Sequence, residues 1–247
     1  MRKRLTNDLS FDVNYTFAHS LDIASGNQAG TSFGAPFVLN PLDLNVNRGH
    51  SDFDIRHLVT ADWVYNLPFG NGKRFGNGAR GFVNALVGGW TLTGIFRYNS
   101  GRPVGAPGDA DRWATNWNAQ SNGVALRPVE SSPTRTGDPN IFEDPQAAFQ
   151  SYRNARPGEF GDRNTIRLPS YFTIDPGLYK AFRIKENLQL KFRWEVFNAT
   201  NSQSFTTLAN FSLPQDPFNE QAPSDFGRFT QIQGNPRVMQ FALRIEF

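Results

Sequence analysis

The sequence predicts an all-β protein whose long antiparallel strands run up and down as a segment of a transmembrane β-barrel. Three observations carry this prediction. Six stretches alternate apolar and polar residues, long and short connections alternate between them, and charged side chains occupy the middle of their polar sides. Each stretch is about ten residues long, which is the length of strand that crosses a bilayer.

The alternation is clearest near the end of the chain. In NLQLKFRWEVF, the apolar side is formed by Leu188, Leu190, Phe192, Trp194 and Val196, and the polar side by Gln189, Lys191, Arg193 and Glu195. In RVMQFALRIEF, the apolar side is formed by Met239, Phe241, Leu243, Ile245 and Phe247. The other strands are predicted at 9–18, 57–67, 87–100 and 171–182. Pro176 has no N–H for a sheet ladder and predicts a bulge or local break.

Connection lengths give the predicted direction of each strand. The segments 19–52, 101–170 and 199–236 are long, whereas 68–85 and the turn at 183–187 are shorter. The long ones fall at every second connection, so they predict extracellular loops at one end and periplasmic turns at the other. A short extended piece is expected at 226–232, inside the last long loop.

Composition narrows the classes of function. The 247 residues contain no cysteine and three histidines, and the net charge is +3. Disulfides and thiolate sites are therefore excluded, a nucleic-acid partner is not expected, and neither an enzyme nor a cofactor is predicted. The sequence has no apolar run of 18 residues and no signal-peptide pattern, so no transmembrane helix and no export signal are expected.

A soluble β-sandwich is the alternative, because its strands also alternate. Such a module would bind carbohydrate through Trp113 and Trp117. In an outer loop of a barrel these two residues could contact a ligand, but packing within the loop or onto the barrel rim is favoured. Two features favour the barrel. Aromatic residues gather near strand ends, and charges lie in mid-strand, as a wet lumen allows. The predicted lumen-facing residues are Lys191, Arg193, Glu195, Arg244 and Glu246.

Three short motifs invite a binding site and have simpler interpretations. HSDFDIRH (50–57) could supply metal ligands, but its spacing matches no standard site, and an ion-paired rim with Asp52, Asp54 and Arg56 is favoured. GNGKRFGNG (70–78) lacks the spacing of a phosphate-binding loop and predicts a turn. The acidic pair of DAD (109–111) is expected on solvated surface. No metal site is therefore predicted.

Several stretches resemble the C-terminal barrel of TonB-dependent outer-membrane receptors, in particular the Oar-like group. The matching stretches are NYTFAHSLD (14–22), SDFDIRHLVTADWVYNLPFGNGKRF (51–75), GGWTLTGIFRYNSGRPV (88–104), FGDRNTIRLPSYFTIDPGLYKAFRI (160–184), LQLKFRWEVFNATN (188–201) and FGRFTQIQGNPRVMQFALRIEF (226–247). They cover nearly the whole chain in order.

The resemblance implies a cell outer-membrane location and energy-dependent uptake of a small substrate, whose identity the loops do not indicate. It implies a receptor with a barrel of about 22 strands, of which residues 1–247 form a single C-terminal segment. The plug, the TonB-contacting segment and the preceding strands would lie outside this chain. Partners would be outer-membrane lipid and the barrel-assembly machinery, which recognises a C-terminal signal formed here by Phe241, Leu243, Ile245 and Phe247.

Six strands are too few for closure, because single-chain barrels have at least about eight. The strands at 9–18 and 237–247 would leave unpaired edges, which hydrocarbon does not tolerate. The sequence therefore predicts an incomplete barrel segment, with self-assembly into an oligomer as the alternative way of covering its edges.

Overall fold

The computed structural model describes residues 2–4, 8–25, 40, 42–105, 122–134, 137–156, 159, 161–208 and 220–247. In chain order the strands are β1 (Arg2–Arg4), β2 (Leu9–Phe17), β3 (Leu21–Asp22), β4 (Gly49–His50), β5 (His57–Asn66), β6 (Trp90–Asn99), β7 (Pro103–Val104), β8 (Val124–Ala125), β9 (Tyr152–Arg153), β10 (Ile166–Arg167), β11 (Tyr171–Lys185), β12 (Leu188–Phe197), β13 (Ser204–Leu208), β14 (Phe229–Gln233) and β15 (Val238–Glu246). The helices are α1 (Gly81–Val87) and α2 (Pro145–Phe149), with a 3₁₀ turn at Leu44–Asn47.

One antiparallel sheet organises the molecule. Its strand order is β1-β2-β5-β6-β11-β12-β15, so each long strand pairs with the next long strand along the chain. This up-and-down order confirms the predicted all-β architecture and the six predicted strands. Within the described residues no pairing joins β1 to β15, so the sheet stays open at both edges.

Several short elements of the fold were not predicted, among them β1 and helix α1. β1 pairs with β2 through Arg2 and Asp12, at one edge of the sheet. Helix α1 occupies 81–87, and its last residue was predicted to be the first residue of the strand at 87–100. Within the described part of the chain, no helix is long and apolar enough to span a membrane.

Pro176 does not break β11, contrary to the prediction. It lies opposite Gly94 in β6, and the pairing of β11 with β6 runs from Tyr171 to Lys180 without a shift. The carbonyl oxygen of Ile174 accepts a hydrogen bond from the N–H of Ala199, on the side of β12. Because backbone groups alternate along a strand, Pro176 also directs its nitrogen toward β12, where pairing has not yet begun. No β6 hydrogen bond is lost.

Register places most of the apolar residues of the six long strands on one face. Across β12 and β15, Phe192 lies opposite Leu243, and Trp194 opposite Phe241. The same face continues through β11, β6, β5 and β2 by way of Leu178, Leu92, Tyr65 and Leu9. We call this surface the apolar face. Its outer members are strongly exposed, with Phe241 at 65% and Leu243 at 68%.

The buried hydrophobic core lies outside the sheet, within the long loops. It is formed by Ile141, Phe142, Ala148, Phe149, Tyr152, Ile166, Leu168, Phe205, Phe226 and Phe229. Phe226 stacks on Phe142 with ring centroids 5.7 Å apart and meets Phe149 edge-on at 5.2 Å. The described parts of the loops 101–170 and 199–236 therefore pack on each other as a folded unit, which we call the loop core.

Gly101 allows β6 to approach this loop core closely. A Cβ atom there would lie 1.5 Å from the carbonyl oxygen of Leu168, and the N–H of Leu168 donates to the carbonyl of Arg102 at 2.9 Å. Since the obstacle is backbone, a side chain at position 101 forces the two segments apart.

We expect Gly101→Ala to lower the free energy of unfolding by about 1–3 kcal/mol, the usual cost of overpacking. Equilibrium urea titration in detergent micelles would measure the change. Gly78→Ala is the matched control, because nothing lies within 4 Å of its added Cβ. Equal stability of Gly101→Ala and Gly78→Ala would contradict the close approach.

Candidate functional site

The face opposite the apolar face carries the charged residues predicted at mid-strand. Lys191, Arg193, Glu195, Arg244 and Glu246 all lie on it, since Lys191 is opposite Arg244 and Glu195 is opposite Gln240. Lys191 Nζ lies 2.6 Å from Glu246 Oε2, and Arg193 Nη2 lies 2.5 Å from Glu195 Oε1. We call this surface the polar face. Each carboxylate on it lies next to a cation, so the polar face can meet water or a polar solute without a large net charge.

Three aromatic residues of the long strands lie on the polar face and not on the apolar face. Tyr179 is opposite Arg193, and its hydroxyl donates to Glu195 Oε1 at 2.6 Å. Tyr171 is opposite Asn99, and Phe197 shares the phase of Glu195. A residue's place near the end of a strand does not decide which face its side chain lies on, because successive side chains alternate between the two faces.

Tyr171 and Phe197 line a groove of about 180 Å³ at the loop end of the polar face. Asp175 lies within it and accepts hydrogen bonds from Thr173 Oγ1 at 3.0 Å and from the N–H of Asn198 at 2.7 Å. Arg97 Nη1 lies 3.6 Å from the same carboxylate. The groove therefore offers aromatic rings beside a hydrogen-bonded carboxylate.

A buried carboxylate ties the loops to the sheet. The side chain of Asp54, which follows the β3–β4 hairpin, is fully buried. Its Oδ1 accepts from the N–H of Ser20 at 2.8 Å, and its Oδ2 accepts from the Arg167 guanidinium. Burial alone would raise the pKa of Asp54, but the hydrogen bonds from Ser20 and Arg167 lower it below its usual value.

A second arginine repeats the arrangement four residues earlier. Arg163 binds the carboxylate of Asp22 and the hydroxyl of Ser25, and its Nη1 donates to the carbonyl of Asn47 at 3.3 Å. We call Asp22, Asp54, Arg163 and Arg167 the arginine hub. It holds the first long loop against the segment 161–168, more than a hundred residues away in sequence.

Asn164 adds neutral hydrogen bonds beside the hub. Its Nδ2 donates to the carbonyl of His50 at 2.6 Å and to Asp52 Oδ1 at 2.7 Å. Its φ of 56° is a left-handed conformation that Asn tolerates better than most residues. The interpretation of HSDFDIRH as a hydrogen-bonded and ion-paired rim agrees with this geometry, although the main partners come from 163–167.

His19, His50 and Asp54 come nearest to a metal site. Each offers one ligand atom, and these atoms lie within 4.8 Å of one another. However, Asp54 Oδ2 already accepts from Arg167 and lies 3.9 Å from Nε of Arg56. The positive charges of two guanidinium groups beside one carboxylate repel a divalent cation. The cluster fits a hydrogen-bond network better than a metal centre.

Other predicted residues separate into three groups. The predicted assembly-signal residues Phe241, Leu243 and Ile245 are exposed on the apolar face, and Phe247 follows them, fully exposed. GNGKRFGNG forms a turn, in which Lys73 Nζ lies 2.7 Å from Asp8 Oδ1. Trp113, Trp117 and the DAD motif lie outside the described residues.

The hub arginines were missed as site residues, although they lie within a stretch quoted for its family resemblance. The available signal was the spacing of DRNTIR, two arginines four residues apart just before a strand. Their acidic partners, Asp22 and Asp54, lie outside the six long strands. Sequence alone did not pair them, because 113 residues separate Asp54 from Arg167.

We expect Asp54→Asn to weaken the attachment of the first loop by about 1–3 kcal/mol, because it leaves the partly buried guanidinium of Arg167 without its counter-charge. Hydrogen exchange at the Ser20 amide, which donates to Asp54, would measure the opening. The control is Asp138→Asn, which removes an exposed ion pair with Arg228 and should have little effect. Unchanged exchange at Ser20 would rule out the hub as the attachment.

Acid should loosen the hub in two steps. The pKa of His50 lies below its usual value of 6.5, mainly because the side chain is partly buried. The positive charges of Arg167 and Arg56 and the neighbouring His19 lower this pKa further, and Asp54 opposes them. The unfolded chain then binds the proton more readily, so stability falls as pH drops below about 6.5. Asp54 also has a lowered pKa, so its contribution is present above 3.8 and is lost as pH falls below that value.

Urea titrations between about pH 7 and pH 3 would follow these steps. His50→Gln should remove the upper step and leave the lower one. A stability that rises as pH falls from 6.5 would contradict the arrangement.

Comparison with known proteins agrees with the architecture. A family model described as an outer membrane beta barrel domain matches residues 1–240. No curated protein and no solved structure matches. The matched region holds all of the long strands except the last residues of β15. The chain is an outer-membrane β-barrel protein and belongs to the outer membrane beta barrel domain family.

Proposed function

We propose that this chain forms barrel wall and loops of a TonB-dependent receptor of the Oar-like group, which takes up a small substrate across the outer membrane. The observation that carries the proposal is the division of six long strands into one exposed apolar face and one ion-paired polar face. The resemblance of the six quoted stretches supplies the class of receptor. Its role is transport and not catalysis.

The apolar face contacts lipid and the polar face lines the lumen. Lipid-facing positions would include Leu190, Phe192 and Trp194, which are opposite Ile245, Leu243 and Phe241. The predicted lumen residues, among them Lys191 and Glu246, stay paired with each other in a hydrated channel, where an ion pair costs little to maintain. In hydrocarbon the same charges would be strongly unfavourable.

Both edges of the sheet need partner strands in this setting. β1 and β15 each present one row of backbone N–H and C=O groups that is unpaired among the described residues. An unsatisfied backbone group costs several kcal/mol in a bilayer. Further barrel strands would satisfy these edges, and a plug inside the barrel would connect to TonB. The barrel-assembly machinery would recognise Phe241, Leu243, Ile245 and Phe247.

The loops would form the outer, substrate-contacting surface. The arginine hub fixes the first long loop to the segment 161–168, and the loop core joins the second and third long loops. Loops tied together above a polar lumen suit capture of a solute before its passage. The groove at Asp175 opens at the same end and is a candidate contact, together with Trp113 and Trp117.

A soluble carbohydrate-binding sandwich receives no support from the sheet. A sandwich covers its apolar face with a second sheet. Here Tyr15, Phe17 and Ile245 are at least 60% exposed on that face.

The proposal is tested by solute depletion from growth medium. We expect a strain lacking this gene, and a strain of the same bacterium lacking TonB, to leave the same solute unconsumed. Mass spectrometry of spent medium would identify it. Complementation with the parent chain in its natural gene should restore depletion, and so should Asp138→Asn, whose substitution touches only an exposed pair.

TonB dependence would be contradicted by a solute that the strain lacking this gene leaves unconsumed but the strain lacking TonB still consumes. Unchanged depletion in the gene deletion would contradict a transport role.

A further inference from the structure

Helix α1 has one polar side and one exposed apolar side. Asn84 points into the turn that precedes the helix, where its Oδ1 accepts from the N–H of Asn71 at 2.6 Å. Phe82, Val83 and Leu86 are 81%, 57% and 54% exposed. On a helix these three residues project within one arc, away from Asn84. A seven-residue helix with such an uncovered side is amphipathic, and nothing described in the chain packs on its apolar side.

The helix ends on the apolar face of the sheet. Trp90 Nε1 donates to the carbonyl of Leu86 at 2.9 Å, and Trp90 packs edge-on against Phe192 with ring centroids 5.9 Å apart. Trp90 is also opposite Lys180 in the register of β6 and β11. The exposed apolar side of α1 is therefore continuous with the surface that we assign to lipid.

The contact between α1 and the sheet explains why a charged residue, Lys180, lies on the apolar face. It lies on the apolar face, between Trp90 and Phe192 in register, yet it is only 5% exposed. Its Nζ donates to the carbonyl of Leu86 at 3.0 Å and to that of Gly88, and lies 5.0 Å from the Trp90 ring. The ammonium thus binds the C-terminal carbonyls of α1, where a helix favours a cation, and fixes the helix to the sheet.

The segment around α1 is basic. Residues 68–89 contain Lys73, Arg74 and Arg80 and no acidic residue. Lys73 is paired with Asp8, whereas Arg74 and Arg80 are exposed, the latter immediately before the helix. An amphipathic helix flanked by cations is the arrangement that binds an anionic lipid surface.

We propose that α1 lies in the headgroup layer of the phospholipid leaflet at the turn end of the barrel. Phe82, Val83 and Leu86 enter the acyl boundary, and Arg74 and Arg80 contact anionic headgroup phosphates. This placement sets the depth of the sheet in the bilayer through Lys180. It rests on the proposed contact of the apolar face with lipid.

Depth-dependent fluorescence quenching tests the placement. Because the chain has no cysteine, single cysteines at Val83→Cys, Val13→Cys and Asp138→Cys can each carry an environment-sensitive label on the full chain, reconstituted in phosphatidylcholine vesicles. Val13 lies on the apolar face in the middle of β2, and Asp138 is exposed in the loop core region. Bromine atoms placed near the headgroup or deep in the acyl chain quench only nearby labels.

The expected result is quenching of the label at 83 mainly by shallow bromines, of the label at 13 mainly by deep bromines, and of the label at 138 by neither. Quenching at 13 without quenching at 83 would overturn the placement of α1 and leave the lipid-facing sheet intact. Absence of quenching at 13 would overturn the lipid assignment of the apolar face, and the placement of α1 with it.

The charge component is tested in equimolar phosphatidylcholine and phosphatidylglycerol, with one lipid brominated at a time. The label at 83 should be quenched more by brominated phosphatidylglycerol, and the double variant Arg74→Gln/Arg80→Gln should remove that preference. Each arginine close to an anionic surface strengthens binding to that surface by about fivefold. Equal quenching by both lipids in the parent chain would overturn the contact with anionic headgroups.

Discussion

The register of the main sheet is the constraint on which the rest of the structure depends. Six long strands pair so that Phe192 meets Leu243 while Lys191 meets Arg244, and the same phase holds across every pair. A slip of one residue would move every apolar side chain to the polar face. Since the side chains of the apolar face remain exposed, this register is favourable only where hydrocarbon covers that face. Membership of an outer-membrane barrel family agrees with this requirement.

Burial is therefore inverted relative to a soluble β-protein. Among the described residues no second layer packs on the main sheet, and the hydrophobic core lies in the loops around Phe226 and Ile141. Polar contacts join this loop core to the sheet, chiefly through Asp54 and Arg167. The same use of buried charge recurs at the other end, where Lys180 binds the carbonyls that end α1. Each end of the sheet is therefore held by a buried ionic group, Asp54 at the loop end and Lys180 at the turn end.

The features that were predicted from the sequence are those that depend on a local pattern of residues, such as the long strands. Strand β12 was predicted within NLQLKFRWEVF and spans Leu188–Phe197, because period-two alternation reports the two environments directly. The Pro176 prediction was wrong because propensity does not show which neighbour a nitrogen faces. Helix α1 is too short for its period to stand out. The arginine hub and the loop core could not be predicted, because they join segments about a hundred residues apart, and no local pattern encodes that pairing.

Site-directed spin labelling along β12 tests the central claim most directly. Single cysteines at successive positions from 188 to 197 would be labelled in the reconstituted chain, and the collision of each label with oxygen and with a water-soluble nickel complex would be measured. The claim predicts a period of two, with oxygen favoured at 190, 192 and 194 and nickel favoured at 191, 193 and 195. Loss of the alternation, or the opposite phase, would contradict a sheet with one lipid face and one aqueous face.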